Sequence, residues 1–280
     1  MGALFDFSDY GALLGLVSNS LIAGALLGVV GGLIGFFVMA RDLPFAVHGI
    51  SELSFAGAAG ALLIGADVVI GSVAGSVIAA GLIGALGVRA RERNSVIGVL
   101  MPFGLGLGIL FLALYPGRAA NRFGLLTGQV VSVDGPQVLL LIAVSLVVLV
   151  ALLLIWRPLL FASVDEEVAV ARGVPVRALS MGFMVLLALT VSVAVQTVGA
   201  LLVLALLVTP AAAALRVASG PLAVSLLSMA FATVSVVGGI LLALGAAIPI
   251  SPYVTTISFL IYAVCRLAGR RRPRRLHSPA

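Results

Sequence analysis

Two side chains in this 280-residue sequence stand where ionisable groups are costly. His48 and Glu52 lie inside the apolar stretch FAVHGISELSFAGAAGALLIGA. A charge at membrane depth costs about 2.5–3.5 kcal/mol on insertion scales and by default marks function. Their i, i+4 spacing puts both on one helix face, about 6 Å apart along the axis. An imidazole and a carboxylate so placed suit a divalent transition metal, which accepts nitrogen and oxygen together. One helix supplies two ligands where zinc usually takes four, so two subunits meeting at this face would complete a site. The same pair would also serve a proton relay, hydrogen-bond internally and close a helix bundle, or sit near enough to the interface to be solvated. Ser51 and Ser54 flank the pair and are candidates for the lining of a transport path.

Composition says what must position them. At 62% hydrophobic and 9% charged residues, the chain lies far from a soluble domain, with roughly 45–50% apolar and about 25% charged. Disorder needs the opposite composition. A bilayer core takes about 20 apolar residues as helix, and nine stretches qualify: 13–40, 43–66, 68–88, 95–115, 137–156, 178–196, 198–216, 222–246 and 250–268. The expected fold is all-α, a polytopic transmembrane helical bundle of eight or nine spans, forming one transmembrane domain over 1–280. No β-barrel alternation occurs. The opening residues carry two Asp and no Arg, the reverse of a cleavable signal. One cysteine, Cys265, leaves no internal disulfide and no cysteine-clustered zinc site.

All sixteen basic residues are Arg. Without Lys there is no phosphate-cradling G-x-x-x-x-G-K-[ST] loop, so any ATP must be handled by another polypeptide. The arginines punctuate apolar stretches, which reads as membrane topology rather than nucleic-acid binding. With the N-terminus outside, fourteen fall on the cytoplasmic side, including the 269–280 tail, and only Arg118 and Arg122 fall outside. The Arg118–Gln137 stretch has room for a re-entrant or surface helix. Trp156 and Tyr115 sit at span ends, as interface anchors do. Gln196, Asp67 and Asp134 read as boundary or loop residues. Gly24/Gly28/Gly32, Gly31/Gly35 and Gly71/Gly75 have the small-xxx-small spacing of close helix seams. Gly104-Leu-Gly106-Leu-Gly108 lies mid-span and reads as helix packing, not a nucleotide loop.

Two further stretches stand out. RPLLFASVDEEVAVARGVPVRAL, Arg157–Leu179, is the longest polar connector, with Asp165, Glu166 and Glu167 favouring a helix start and Gly173 and Pro175 its end. A short amphipathic helix there is something a partner could grip; otherwise it is a solvated linker. In Thr197–Ala214, Pro210 frees a carbonyl and kinks the helix, with Thr209 as a local partner. No second His, Asp or Ser cluster at membrane depth completes a catalytic set, which argues against an intramembrane enzyme.

At these three stretches the sequence resembles the permease subunit of ABC-type zinc/manganese importers. VGALLVLALLVTPAAAA is similar to the family's Val-Gly-x-Leu-Leu-Val-x-Ala-Leu-Leu-x-x-Pro-Ala-Ala span. DEEVAVARGVPVRAL is similar to its cytoplasmic coupling segment, which vitamin B12 and siderophore permeases share. HGISELSFAG falls on a family segment of the form Asp-x-x-Ser-His-(x)n-Gly. His48 takes the place of its Asp, Ser51 of its Ser and Glu52 of its His, a nitrogen–oxygen pair in exchanged order.

The resemblance implies a transport subunit in the cytoplasmic membrane of a prokaryote, its C-terminus cytoplasmic. Zinc or manganese would be its substrate, with no cofactor bound permanently. His48 and Glu52 would hold the metal and Thr209 and Pro210 would form the kink. Asp165, Glu166, Glu167, Ala171, Arg172 and Gly173, within a coupling element over 158–178, would meet a separate ABC ATPase. The other implied partners are an extracytoplasmic metal-binding lipoprotein and a second permease protomer, forming a homodimer. A siderophore or vitamin permease and a proton-coupled carrier are the alternatives.

Overall fold

A computed structural model of the chain describes residues 17–86, 90–117, 135–244 and 250–270. Arg118, Arg122, Asp134, the Arg89 side of the third loop and the end of the basic tail lie outside these residues. The described elements, all helical, are α1 (Ser18–Ala40), α2 (Pro44–Leu63), α3 (Val68–Leu86), α4 (Ala90–Leu114), α5 (Gly135–Val164), α6 (Glu166–Ala171), α7 (Val176–Val198), α8 (Ala200–Val217), α9 (Pro221–Ala243) and α10 (Ile250–Arg270). Eight of them are long and apolar enough to cross a bilayer. The other long one, α8, has 18 residues and so is about 27 Å long.

Backbone-to-backbone contacts fix the direction of each helix. Gly24, Gly28 and Gly32 of α1 face Ile240, Thr233 and Met229 of α9, so these helices are antiparallel. Gly31 and Gly35 meet Leu207 and Ala211 of α8, which therefore runs parallel to α1. Gly71 and Gly75 of α3 lie on Gly57 and Leu53 of α2, antiparallel, while Gly104 and Gly108 of α4 follow Leu53 and Phe55 in parallel. All three glycine seams read from the sequence are thus helix interfaces, where the missing side chain lets carbonyl and Cα approach. Gly104 and Gly108 are packing residues too. Traced through these pairs, α8 travels from one end of the bundle to the other, as its eight longer companions do.

Burial separates an inner set from an outer one. Within their most apolar windows α1 and α2 are each 72% buried, against 22% for α4 and α10. The helix carrying His48 and Glu52 is therefore interior, enclosed by α3, α4, α7 and α8. The outer helices turn residues such as Ile70, Phe103, Leu154 and Phe259 outward, which is what a chain dissolved in lipid requires.

The ends of the elements follow local chemistry. Asp67 accepts from the amides of Val69 and Ile70 (2.7 and 3.1 Å) and starts α3. Gly199, at φ +85° and ψ 152°, is the sole residue between α7 and α8; that conformation is essentially reserved for glycine. At the α1–α2 turn the Leu43 amide reaches back to the Val38 carbonyl (2.8 Å), and Asp42 takes the left-handed position at φ +55°.

Two expectations need correction. The helix expected to end at 156 continues through Arg157 and Pro158 to Val164, because Leu159 is fully buried and draws the next turn onto the bundle. Trp156 is not a boundary anchor. It stacks on Phe36 (6.0 Å between centroids) and meets Phe37 edge-on (4.9 Å), which in turn reaches Phe183. This aromatic cluster joins α1, α5 and α7.

The seams give a paired test. A side chain at Gly35 would overlap the Leu207 carbonyl oxygen, whereas nothing lies within 4 Å of the position a side chain would take at Gly106. Gly35→Val should cost more than the 1–3 kcal/mol typical of overpacking (about that range in soluble cores) and abolish a monodisperse peak in detergent chromatography. Gly106→Ala should elute as the unsubstituted protein does.

Candidate functional site

Pro44 opens α2 at its first turn, where a missing amide proton costs nothing. His48 is then one turn inside and Glu52 two. The His48 Nε2 atom lies 3.7 Å from Glu52 Oε1, with side chains 29% and 3% exposed respectively. That is an ion-pair distance but too long for a hydrogen bond. Nδ1 of His48 and Oε2 of Glu52 are both buried and have no hydrogen-bond partner. The imidazole is partly exposed and the carboxyl group buried; Phe45, three residues before His48 on the same helix, is exposed. A buried unmatched carboxyl oxygen costs about 1–3 kcal/mol or more, so among the described residues this pair is held at the expense of stability. Among the described residues no group of three or more His, Cys, Asp or Glu comes together. One copy therefore offers one nitrogen and one carboxylate.

The two serines face elsewhere. Ser51 is fully buried and donates to the His48 carbonyl (2.8 Å). Ser54 lies about 200° around the helix from Glu52 and bonds the carbonyl and hydroxyl of Ser72 on α3 (3.1 and 2.8 Å). Ser72 in turn donates to the Ser192 carbonyl on α7 (3.2 Å). This buried ladder ties α2 to α3 and α7, and with them fixes the rotation of the His48–Glu52 face. Gln196 is half-buried and donates from its side-chain amide to the Ser192 carbonyl one turn earlier on α7 (3.2 Å).

The second candidate element is α6. Asp165 caps it, accepting from the Val168 amide (2.9 Å). Gly173, at φ +78°, ends it, the Val174 amide reaching the Ala169 carbonyl (3.0 Å). Only Ala169 is buried, seated between Ala162 of α5 and Val176 of α7. Asp165, Glu166, Glu167, Ala171, Arg172 and Gly173 are exposed, and so are Val164, Val168 and Val170. Acidic and apolar groups are thus displayed together on a six-residue helix.

Pro210 lies inside α8, which remains helical throughout. Thr209 is half-buried beside it, and Gly35 of α1 approaches the neighbouring Leu207 carbonyl. The proline and the alanines after it make a smooth, small-residue face for α1.

Sequence reasoning missed Arg41. Its guanidinium donates from Nη1 to Ser163 Oγ on α5 (3.2 Å) and from Nη2 to Ser180 Oγ on α7. Burial pulls its pKa down from the ordinary arginine range, and the charge of Glu166 pulls the other way. A basic residue after a span is so common that sequence alone treats it as topology.

With this geometry in hand, comparisons with known proteins decide the family. The ABC 3 transport family profile matches residues 14–268. The chain belongs to the ABC 3 transport family. The manganese transport system membrane protein MntC of Halalkalibacterium halodurans is 32% identical over 241 residues, covering 86% of this chain and 82% of its own. The manganese import system permease protein ScaB of Streptococcus parasanguinis is 26% identical over 263 residues, 94% of each chain. Among solved structures, PsaBC from Streptococcus pneumoniae in complex with Fab superposes with a TM-score of 0.83 at 25% identity, covering 93% of this chain and 95% of that one. The chain is thus a multi-pass helical membrane protein of an ABC transport family.

If Glu52 is kept for a ligand and not for structure, then Glu52→Leu should leave the metal-free protein in detergent as stable as before or raise its thermal midpoint by about 2–4 °C. A fall equivalent to about 3–5 kcal/mol would identify Glu52 as one half of a structural pair.

Proposed function

We propose that this chain is the permease subunit of an ATP-driven importer that carries a divalent metal ion, manganese in the first instance, across the plasma membrane. The observation that carries this reading is the half-made site at membrane depth, whose Glu52 oxygen and His48 nitrogen lack partners, in a chain similar to a manganese transport system membrane protein and a manganese import system permease protein. Manganese and zinc both accept imidazole and carboxylate. Two copies meeting at the His48 opening would supply two of each, and loose ligation suits an ion that must also leave.

The remaining parts of the machine follow. The sequence holds no Lys, so nucleotide binding belongs to separate ATPase subunits, for which α6 is the docking element. Arg41 bonds the ends of α5 and α7 that flank α6, with its neighbours Arg172 and Arg177, and Arg93 bonds the Asp42 carbonyl beside it. Arg216 closes α8, which runs parallel to α1, and Gly269 of α10, one turn beyond Arg266, packs on the Arg216 backbone, so these arginines share the α6 end. The positive-inside rule makes that end, and with it the C-terminus, cytoplasmic. Cargo would arrive on the other side, from a metal-binding lipoprotein.

Radiolabelled manganese uptake in cells expressing the permease with its cognate ATPase tests this. His48→Ala and Glu52→Ala should each reduce uptake by at least about tenfold while membrane levels stay normal. Unchanged uptake in both would refute the metal site, and uptake persisting with an inactive ATPase would support a proton-coupled carrier instead. Arg172→Glu should weaken co-purification of the ATPase; an unaltered complex would remove α6 from the contact.

A further inference from the structure

The α1–α2 turn joins everything that a stroke at α6 would have to move. Arg41 holds α5 through Ser163 and α7 through Ser180, and these are the two helices from which α6 hangs. Ser163 is itself fixed, donating to the Leu159 carbonyl (2.6 Å). The Arg41 side chain is half-buried between them and within electrostatic reach of Glu166 on α6. One residue later the Asp42 carbonyl accepts from Arg93 of α4 (3.4 Å), and Asp42 occupies a left-handed conformation that non-glycine residues adopt at a cost. Two residues after that, α2 begins, and its rigid first two turns carry His48 and Glu52. By contrast, α1 and α2 touch little elsewhere, and α2 has no extensive packing on α5. The turn is therefore a route from α6 that enters α2 at its first turn, beside the direct packing of α2 on α7.

We infer that Arg41 is a positioning residue for transport: it clamps the two legs of α6 to the α1–α2 turn, so that displacement of α6 shifts α2 and changes the setting of His48 and Glu52. This rests on the docking of an ATPase at α6 proposed above. A guanidinium suits the task because its planar fork reaches two acceptors on different helices at once, which a lysine cannot do in the same geometry. Both acceptors are neutral hydroxyls, so the fork can slide or release without leaving a buried carboxylate behind.

The test is manganese transported per ATP hydrolysed, measured on the complete permease–ATPase complex in proteoliposomes. Arg41→Met should retain the ATPase and keep hydrolysis within about twofold, yet lower the transport ratio about tenfold. Arg41→Lys should restore part of it. Ser163→Ala/Ser180→Ala, which keeps the charge and removes both acceptors, should lower the ratio in the same direction. If hydrolysis and uptake fall together at constant ratio, or if the ratio is unchanged in the serine double variant, the tie is overturned. Should Arg41→Met fail to assemble, the serine variant decides alone.

A second readout does not depend on the cargo. A spin label at Phe45→Cys in a Cys265→Ser background reports the distance between the two copies. Nucleotide binding should change that distance in the otherwise unsubstituted complex and leave it fixed in the serine double variant; an equal change in both contradicts the tie. A complex that responds in this way but moves no manganese refutes the assigned cargo and leaves the tie standing. A permease that binds no ATPase overturns both.

Discussion

An ionisable group in a bilayer must be neutral, paired or waiting for a partner, because the surroundings give it nothing to bond. Glu52 meets this requirement only in part. One of its oxygens is 3.7 Å from an imidazole and the other is buried without a partner. Much of the architecture serves to hold this carboxyl group where it is. The serine ladder from Ser54 through Ser72 to Ser192 sets the rotation of α2. The glycines of α3 and α4 press neighbouring backbones against it, leaving no slack for the helix to turn the acid toward water.

The close seams have a second consequence. Helices that meet backbone to backbone transmit displacement with little loss, because no flexible side chain lies between them. The bundle thereby becomes a set of stiff rods whose few polar ties determine which rods move together. Arg41 is such a tie, and its position at the turn feeding α2 gives the small helix α6 leverage over a site about 12 Å into the next span. A binding site that opened to solvent without such linkage would bind metal but could not be driven.

Much of this was legible in the sequence because lipid imposes a simple code. The helical stretches matched the expected spans closely, since a run of about 20 apolar residues has few other fates. The seams at Gly24, Gly31 and Gly71 followed from spacing, and the i, i+4 pair followed from helix geometry. What escaped was decided by tertiary packing. The stretch expected to end at 156 runs on to Val164, because Leu159 has a place in the core. Trp156 and Arg41 looked like boundary residues because their types are common there, yet both turn inward onto partners more than 100 residues away or on other helices. Ser54 looked like part of a path, and only three-dimensional contact shows its hydroxyl engaged by Ser72.

The proposed metal site admits one direct measurement. The sequence contains two histidines, His48 and His277, so imidazole nitrogen bound to manganese can be traced by pulsed electron paramagnetic resonance of the purified, manganese-loaded complex. Modulation from a coordinated histidine nitrogen should be present, should survive His277→Ala and should vanish in His48→Ala. Bound manganese whose nitrogen signal is absent, or is indifferent to the loss of His48, would contradict the account.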